Sequence, residues 1–153
     1  QHALQSAALA EAEGATDSLV VAALLHDIGH LLHGHEQDIA DKGVDGNHEA
    51  VGAQFLEQAF PASVSEPARG HVDAKRYLCA VDPDYRATLS PASVKSLELQ
   101  GGVMNPAQCL EFESRPYFTQ TVRLRRWDDR AKAPDAVVPG IEAYRDRIRA
   151  CAR

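Results

Sequence analysis

His26 and Asp27 stand side by side at the end of an apolar run, VVAALLHDIGH. An imidazole nitrogen and a carboxylate oxygen differ in hardness, and together they suit iron, manganese or zinc. A carboxylate also bridges two ions and brings them close enough to share chemistry. The dipeptide alone does not specify a site, but the chain supplies more of the same donors. His2, His48 and His71 each fall on a different expected helix or helix edge, and Asp128 lies on a late helix beside Trp127. Helical bundles assemble metal centres in this way, from inward residues on several helices.

Cationic and hydroxyl side chains accompany these donors at helical spacing. His30 lies four residues after His26, and Lys75 four residues after His71. Arg125 precedes Asp128 by three. At such offsets, side chains share a helix face. Ser93, Ser96 and Gln100 fall on one helix of SPASVKSLELQGG. Lysine, arginine, histidine and hydroxyl groups beside a metal pair make an anion pocket, and arginine adds bidentate recognition of phosphate-like oxygens. Other candidates read as bystanders. His33 and His35 fall past a helix end, in a solvated loop, and Glu111 and Glu113 lie on different sides of a helix. Trp127 reads as core packing, and Arg145, Arg147 and Arg149 as a solvated helix face.

The elements that must position these groups are expected to be helical throughout. A first helix ends at Gly14, and Asp17 or Ser18 caps a second that runs through Asp27 toward Gly29 and Gly34. Asn47 caps a helix bearing His48, stopped by Pro61. Residues 63–81 are expected to hold two short helices with a break near Gly70. Ser90-Pro91 and Asn105-Pro106 open two more, proline being suited to the first helical position, and Gly101-Gly102 closes the earlier one. Residues 119–132 and 141–149 complete the set.

The 153 residues suit a single domain over 1–153 that buries a real core. A net charge of -6 disfavours nucleic acid as the ligand, because phosphate backbones need a basic face. No run of 18 apolar residues marks a membrane span, and no signal peptide is read, so a cytoplasmic protein is expected. Cys79, Cys109 and Cys151 are widely spaced and odd in number, as expected of reduced thiols.

LLHDIGH, with His2 upstream and Asp128 far downstream, resembles the signature of the HD-domain superfamily of metalloproteins. The resemblance implies an all-α HD-domain helical bundle around a dinuclear metal site, with His2, His26, Asp27, His48, His71 and Asp128 as six ligands. Hydrolases and oxygenases of the superfamily both have that many, so the ligand number does not settle the reaction. QHALQ, HDIGH, NHE, HVDAKRYL, SPASVKSLELQGG and RLRRWDD, in this order, resemble the mixed-valent diiron oxygenase branch. Within it they are similar to the 2-amino-1-hydroxyethylphosphonate dioxygenases and, more distantly, to myo-inositol oxygenases. The resemblance extends from His2 to about Lys132.

This closer resemblance implies two iron ions as a mixed-valent Fe(II)/Fe(III) pair, with dioxygen as co-substrate. His2, His26, Asp27 and Asp128 would hold one iron, and Asp27 would bridge to a second held by His48 and His71. His30, Lys75, Ser93 and Arg125 would neutralise and orient the phosphonate, with Ser96 and Gln100 in support. His30 and Lys75 are the candidate catalytic side chains. The implied reaction cleaves the carbon–phosphorus bond of a small-molecule organophosphonate, a 1-hydroxy-2-aminoethylphosphonate, releasing phosphate and an amino acid. In the family the amine is recognised by a segment upstream of the residue matching His2, so no amine-binding residue is assigned. The alternative within the superfamily is a metal-dependent phosphohydrolase acting on nucleotides or other phosphate esters without dioxygen. A third reading is a non-catalytic metal- or nucleotide-binding module, which a full ligand set disfavours.

Overall fold

The computed structural model describes residues 1–32 and 47–153; His33 and His35 lie outside them. The described residues form helices and no strands, in the order α1 (His2–Ala12), α2 (Asp17–Leu25), α3 (Ile28–Leu32), α4 (His48–Leu56), α5 (Ala62–Val81), α6 (Pro83–Ala87), α7 (Pro91–Leu99), α8 (Pro106–Glu113) and α9 (Phe118–Arg130), then a 3₁₀ turn (Ile141–Tyr144) leading into α10 (Arg145–Cys151). The fold is all-α, as expected. None of these helices is long and apolar enough to cross a membrane.

Residues Leu19 to Leu24 of α2 are all buried, so this helix runs through the interior with neighbours on every side. It packs against α1, α5, α9 and α10, and α5 packs in turn against α4 and α9. The main core joins Leu19, Val20, Leu24, Leu56, Val64, Leu124, Trp127 and Tyr144. Two smaller apolar clusters fix the outer helices to the second half of α5. Ala74 meets Met104 and Phe112, and Leu78 meets Tyr85 and Leu97. The three cysteines are free.

Several boundaries differ from expectation. Thr16, not Asp17 or Ser18, caps α2, its hydroxyl accepting from the Leu19 amide at 3.4 Å; Asp17 falls in the first turn, where a negative charge complements the helix dipole. The helix also stops early. Leu25 is its last residue, His26 is the C-cap, and Asp27 occupies a turn before α3. The turn re-aims the chain so that Gly29 meets the start of α4, where a Cβ would lie 1.9 Å from the His48 carbonyl oxygen.

The two helices expected between residues 63 and 81 are one, of 20 residues. Pro67 lies inside it, and burial of that face outweighs the backbone hydrogen bond the ring removes. Gly70 is no break. It is the point where α9 comes closest, with Thr121 Cγ2 2.7 Å from where a Cβ would stand. The terminal helix begins as a 3₁₀ turn. Asn47 precedes α4 in the left-handed region, φ 45°, and its side chain does not cap the helix. Other local signals hold: Ser90 caps α7, Asn105 and Gln108 form a capping box on α8, and Gly101 and Gly102 take positive φ after α7.

Candidate metal centre

The carboxylate of Asp27 lies where five elements meet, and its two oxygens face different sets of histidines. Oδ2 lies 3.3 Å from His26 Nε2 and 3.7 Å from His2 Nε2. Asp128 Oδ1 completes that group, 3.0 Å from His2 Nε2 and 3.8 Å from His26 Nε2. On the other side, Oδ1 lies 3.6 Å from His48 Nε2, 3.7 Å from His71 Nε2 and 3.9 Å from His30 Nε2. His48 and His71 bring their Nε2 atoms to 3.2 Å. His30 stacks on His48 with ring centroids 3.9 Å apart.

Each donor is supplied by a short local device. His2 and His48 are the first residues of α1 and α4, His71 lies midway along α5, and Asp128 lies near the end of α9. His26 Nδ1–H donates to Ala23 O at 2.8 Å, and His71 Nδ1–H to Ala68 O at 2.6 Å. Both carbonyls lie three residues back on the same helix. His2 Nδ1–H donates across to Ala131 O, just past α9, at 2.8 Å. A carbonyl only accepts, so Nδ1 carries the proton in all three rings, and Nε2 is the atom turned inward. Such outer hydrogen bonds orient metal-binding imidazoles.

The donor set fits metal ions. His26 Nε2 is buried and makes no hydrogen bond among the described residues. Donors around an ion at about 2.1 Å stand roughly 3.0–3.4 Å from one another; the spacings above run from 3.0 to 3.9 Å, from the lower end of that range to a little beyond it. Among the described residues two groups of convergent donors are present, one of His2, His26 and Asp128, the other of Asp27, His30 and His48. His71 stands as close to Asp27 and His48 as His30 does to Asp27, and it is buried where His30 is exposed.

The charges are tightly balanced. Burial opposes charge on His26, but Asp27 and Asp128 outweigh it and raise its pKa to about 9. The bond to Asp128 raises His2. Burial raises Asp27 and Asp128, yet the cations win: His26 foremost for Asp27 and Arg125 foremost for Asp128, both of which fall well below the usual carboxylate range. Burial, then the charge on His30, lowers His48 to about 4; burial, then His26, lowers His71 to about 3. These last two rings are neutral at physiological pH, the form that binds metal.

The residues expected to bind the anion fall into two groups, Lys75 with α7 and Arg125 with the acids of α9. Lys75 is 3% exposed, and its Nζ donates to Ser96 Oγ at 2.8 Å. Burial, then Arg125, brings its pKa down to about 8. Ser96 Oγ donates to the Ser93 carbonyl at 3.0 Å, while the Ser93 hydroxyl accepts from Ser90 at the start of α7. Gln100 closes that helix with a buried Oε1 that has no partner among the described residues.

Arg125 is engaged by acids. Nη1 lies 2.8 Å from Asp128 Oδ2, and Nη2 and Nε reach Asp129 Oδ1 at 2.5 Å and Oδ2 at 3.1 Å. Asp129 and its partner Tyr85 are not among the expected site residues, although an arginine with acids three and four residues later is a helix-face pattern that marks such a clamp. A groove of ≈ 610 Å³ opens beside His2, Asp27 and His30, with Leu4, Leu24 and Leu31 on its walls. The remaining candidates lie apart. Glu111 and Glu113 are exposed, Trp127 is core, and Arg147 pairs with Glu11 and Asp17.

Residues 1–99 match the HD domain family. Over 152 residues the chain is 47% identical to a hydroxymethylphosphonate dioxygenase of Gimesia maris, spanning 99% of this chain and 76% of that protein. Over 139 residues it is 43% identical to the glycine-betaine-forming 1-hydroxy-2-(trimethylamino)ethylphosphonate dioxygenase of Leisingera caerulea, spanning 91% of this chain and 71% of that one. An uncharacterised protein of Acanthamoeba polyphaga mimivirus is 36% identical over 149 residues, 95% of this chain and 68% of that one.

Proposed function

We propose, on the premise that this chain belongs to the HD-domain family and is an HD-domain oxygenase, that it cleaves the carbon–phosphorus bond of a 1-hydroxyphosphonate with dioxygen. The observation that carries this reading is the Asp27 carboxylate, whose two oxygens face two separate donor groups. That arrangement suits a bridged metal pair, and the likeness to two phosphonate dioxygenases supports this reaction for it. One dioxygen balances the change: R–CH(OH)–PO₃H₂ and O₂ give R–COOH and phosphoric acid, with no further reductant. In the finer reading R is aminomethyl, the substrate is 1-hydroxy-2-aminoethylphosphonate and the acid is an amino acid.

His2, His26, Asp27 and Asp128 would hold one ion, and Asp27, His48 and His71 the other. We assign both as iron, in a mixed-valent Fe(II)/Fe(III) pair. When bound, the pair supplies redox chemistry for dioxygen and a Lewis-acid grip on substrate oxygen. The chain's own groups supply binding and orientation. Lys75, with its ammonium buried and held by Ser96, would set a positive charge against the phosphonate. Ser93 and Gln100 would add neutral hydrogen bonds from the same helix. Arg125 would add a fixed positive charge behind Asp128. His30, at the exposed rim between His48 and the groove, would meet the entering substrate and hold a proton near its hydroxyl.

Phosphate release by iron-loaded protein, with and without dioxygen, tests the proposal. The panel holds hydroxymethylphosphonate, 1-hydroxy-2-aminoethylphosphonate and its trimethylammonio analogue, together with nucleotides and phosphate monoesters. Phosphate from a hydroxyphosphonate only in the presence of dioxygen is expected. Phosphate from an ester regardless of dioxygen would make the protein a phosphohydrolase. Lys75→Met keeps the buried stem and removes the charge. It is expected to raise KM for the phosphonate about 10- to 100-fold, the worth of a charged hydrogen bond, with metal content unchanged. An unaltered KM would remove Lys75 from the anion pocket.

A further inference from the structure

We propose that Asp129, held by the hydroxyl of Tyr85, is a positioning residue of the metal centre: it fixes the Arg125 guanidinium so that Nη1 engages the outer oxygen of Asp128, leaving Oδ1 to the histidines. The inference rests on the reading of Asp128 as a metal ligand. Arg125, Asp128 and Tyr85 are buried, at 5%, 7% and 6% exposure. With Asp128 as its single carboxylate partner, the buried guanidinium would draw all its compensating charge from a metal ligand and could turn about that one contact. Asp129 supplies a second carboxylate and a second point of attachment. It grips the Nε–Nη2 edge in a two-point fork, through Oδ2 at 3.1 Å and Oδ1 at 2.5 Å, which leaves Nη1 aimed at Asp128 Oδ2, 2.8 Å away.

Tyr85 locks the fork from outside the helix. Its hydroxyl donates to Asp129 Oδ2 at 2.5 Å and accepts from Arg125 Nε at 3.1 Å. Because Tyr85 comes from α6, the network ties that short helix to α9 and carries its position to Asp128 Oδ1, 3.0 Å from His2 Nε2. In Asp129→Asn, Arg125 would bear more strongly on Asp128 and compete with a cation for its charge. Outer partners of this kind usually change metal affinity about 10- to 100-fold.

Titration of the full chain with Mn(II), free ion being followed by its EPR signal, tests the inference. Mn(II) accepts the same nitrogen and oxygen donors. Asp128→Ala identifies which binding step belongs to the His2–His26–Asp128 group. Asp129→Asn is expected to weaken that step about 10- to 100-fold and leave the other unchanged. Asp129→Glu should restore part of the loss, and Tyr85→Phe should weaken the same step to a smaller extent. The melting temperature of each metal-free variant reports folding. If Asp129→Asn does not fold, Tyr85→Phe decides, since it keeps the ring and removes only the hydroxyl. Wild-type binding by Tyr85→Phe together with wild-type or undetermined binding by Asp129→Asn overturns the inference. So does an equal weakening of both steps with a lowered metal-free melting temperature, the mark of a merely structural role. If Asp128→Ala itself binds like wild type, the reading of Asp128 as a ligand fails first. If Asp128→Ala loses a step while the other variants lose nothing, only the role of Asp129 falls.

Discussion

On the proposed reading, His26 would exchange a proton for metal. In the metal-free protein, two carboxylates hold its pKa near 9 against the pull of burial. Its Nε2 therefore carries a proton near neutral pH, and an incoming ion must displace it. Apparent metal affinity should climb by up to about tenfold per pH unit toward pH 9 and flatten above it. Mn(II) titrations at pH 7, 8 and 9 check this; an affinity flat over that window would mean that His26 gives up no proton. The same proton supports the metal-free fold. That contribution is full below the unfolded value, about 6.5, and is lost as pH rises through about 9. His48 and His71 work in the opposite sense. The fold keeps them neutral down to about 4 and about 3, whereas the unfolded chain takes up protons from about pH 6.5 downward. Their effect is to weaken the metal-free protein as pH falls across that window.

Two glycines set the spacing between elements. At Gly29 a Cβ would stand 1.9 Å from the His48 carbonyl oxygen, so α3 and α4 touch backbone to backbone. Gly29→Ala must push α4 away and take His48 with it. A loss of about 1–3 kcal/mol in urea unfolding is expected, together with weaker Mn(II) binding at the Asp27–His48–His71 group. Retention of both would show that the two helices separate without cost. Gly70 does the same between α5 and α9, the helices that bear His71 and Asp128. The obstacle there is a single methyl, Thr121 Cγ2. Gly70→Ala should destabilise by a similar amount, and adding Thr121→Ser should recover most of it. Serine removes that methyl and keeps the hydroxyl that donates to Tyr117 O at 2.8 Å. A double-mutant cycle with coupling near zero would place the strain elsewhere.

For the molecule as a whole, the donors come from α1, the turn after α2, α4, α5 and α9. Metal held by them would tie together elements that otherwise rest on packing around α2 and α5. Ions at a hundredfold excess over their Kd should add about 2.7 kcal/mol per site. A chelator should accordingly lower Tm, and Asp27→Ala, which removes an oxygen from both groups, should melt at one temperature of its own with or without metal. A metal-dependent rise in Tm that survives in Asp27→Ala would argue for ions bound at some other place.

Chain chemistry by itself determined the helical character, several of the caps and the residue types of the centre, because these depend on spacings of three or four residues. Ser90-Pro91, Asn105-Pro106 and Gly101-Gly102 act where they stand, through their own hydroxyl, amide or φ. Tertiary structure decided the rest, because distances between elements remote in sequence have no local signature. It ended α2 at Leu25 and left Asp27 in a turn, where its oxygens face two ways. It carried α5 unbroken past Pro67 and Gly70, since burial of that helix outweighs a proline and Thr121 needs the glycine. It also turned Arg125 toward Asp128 and Asp129, because a buried guanidinium settles on the carboxylates that neutralise it.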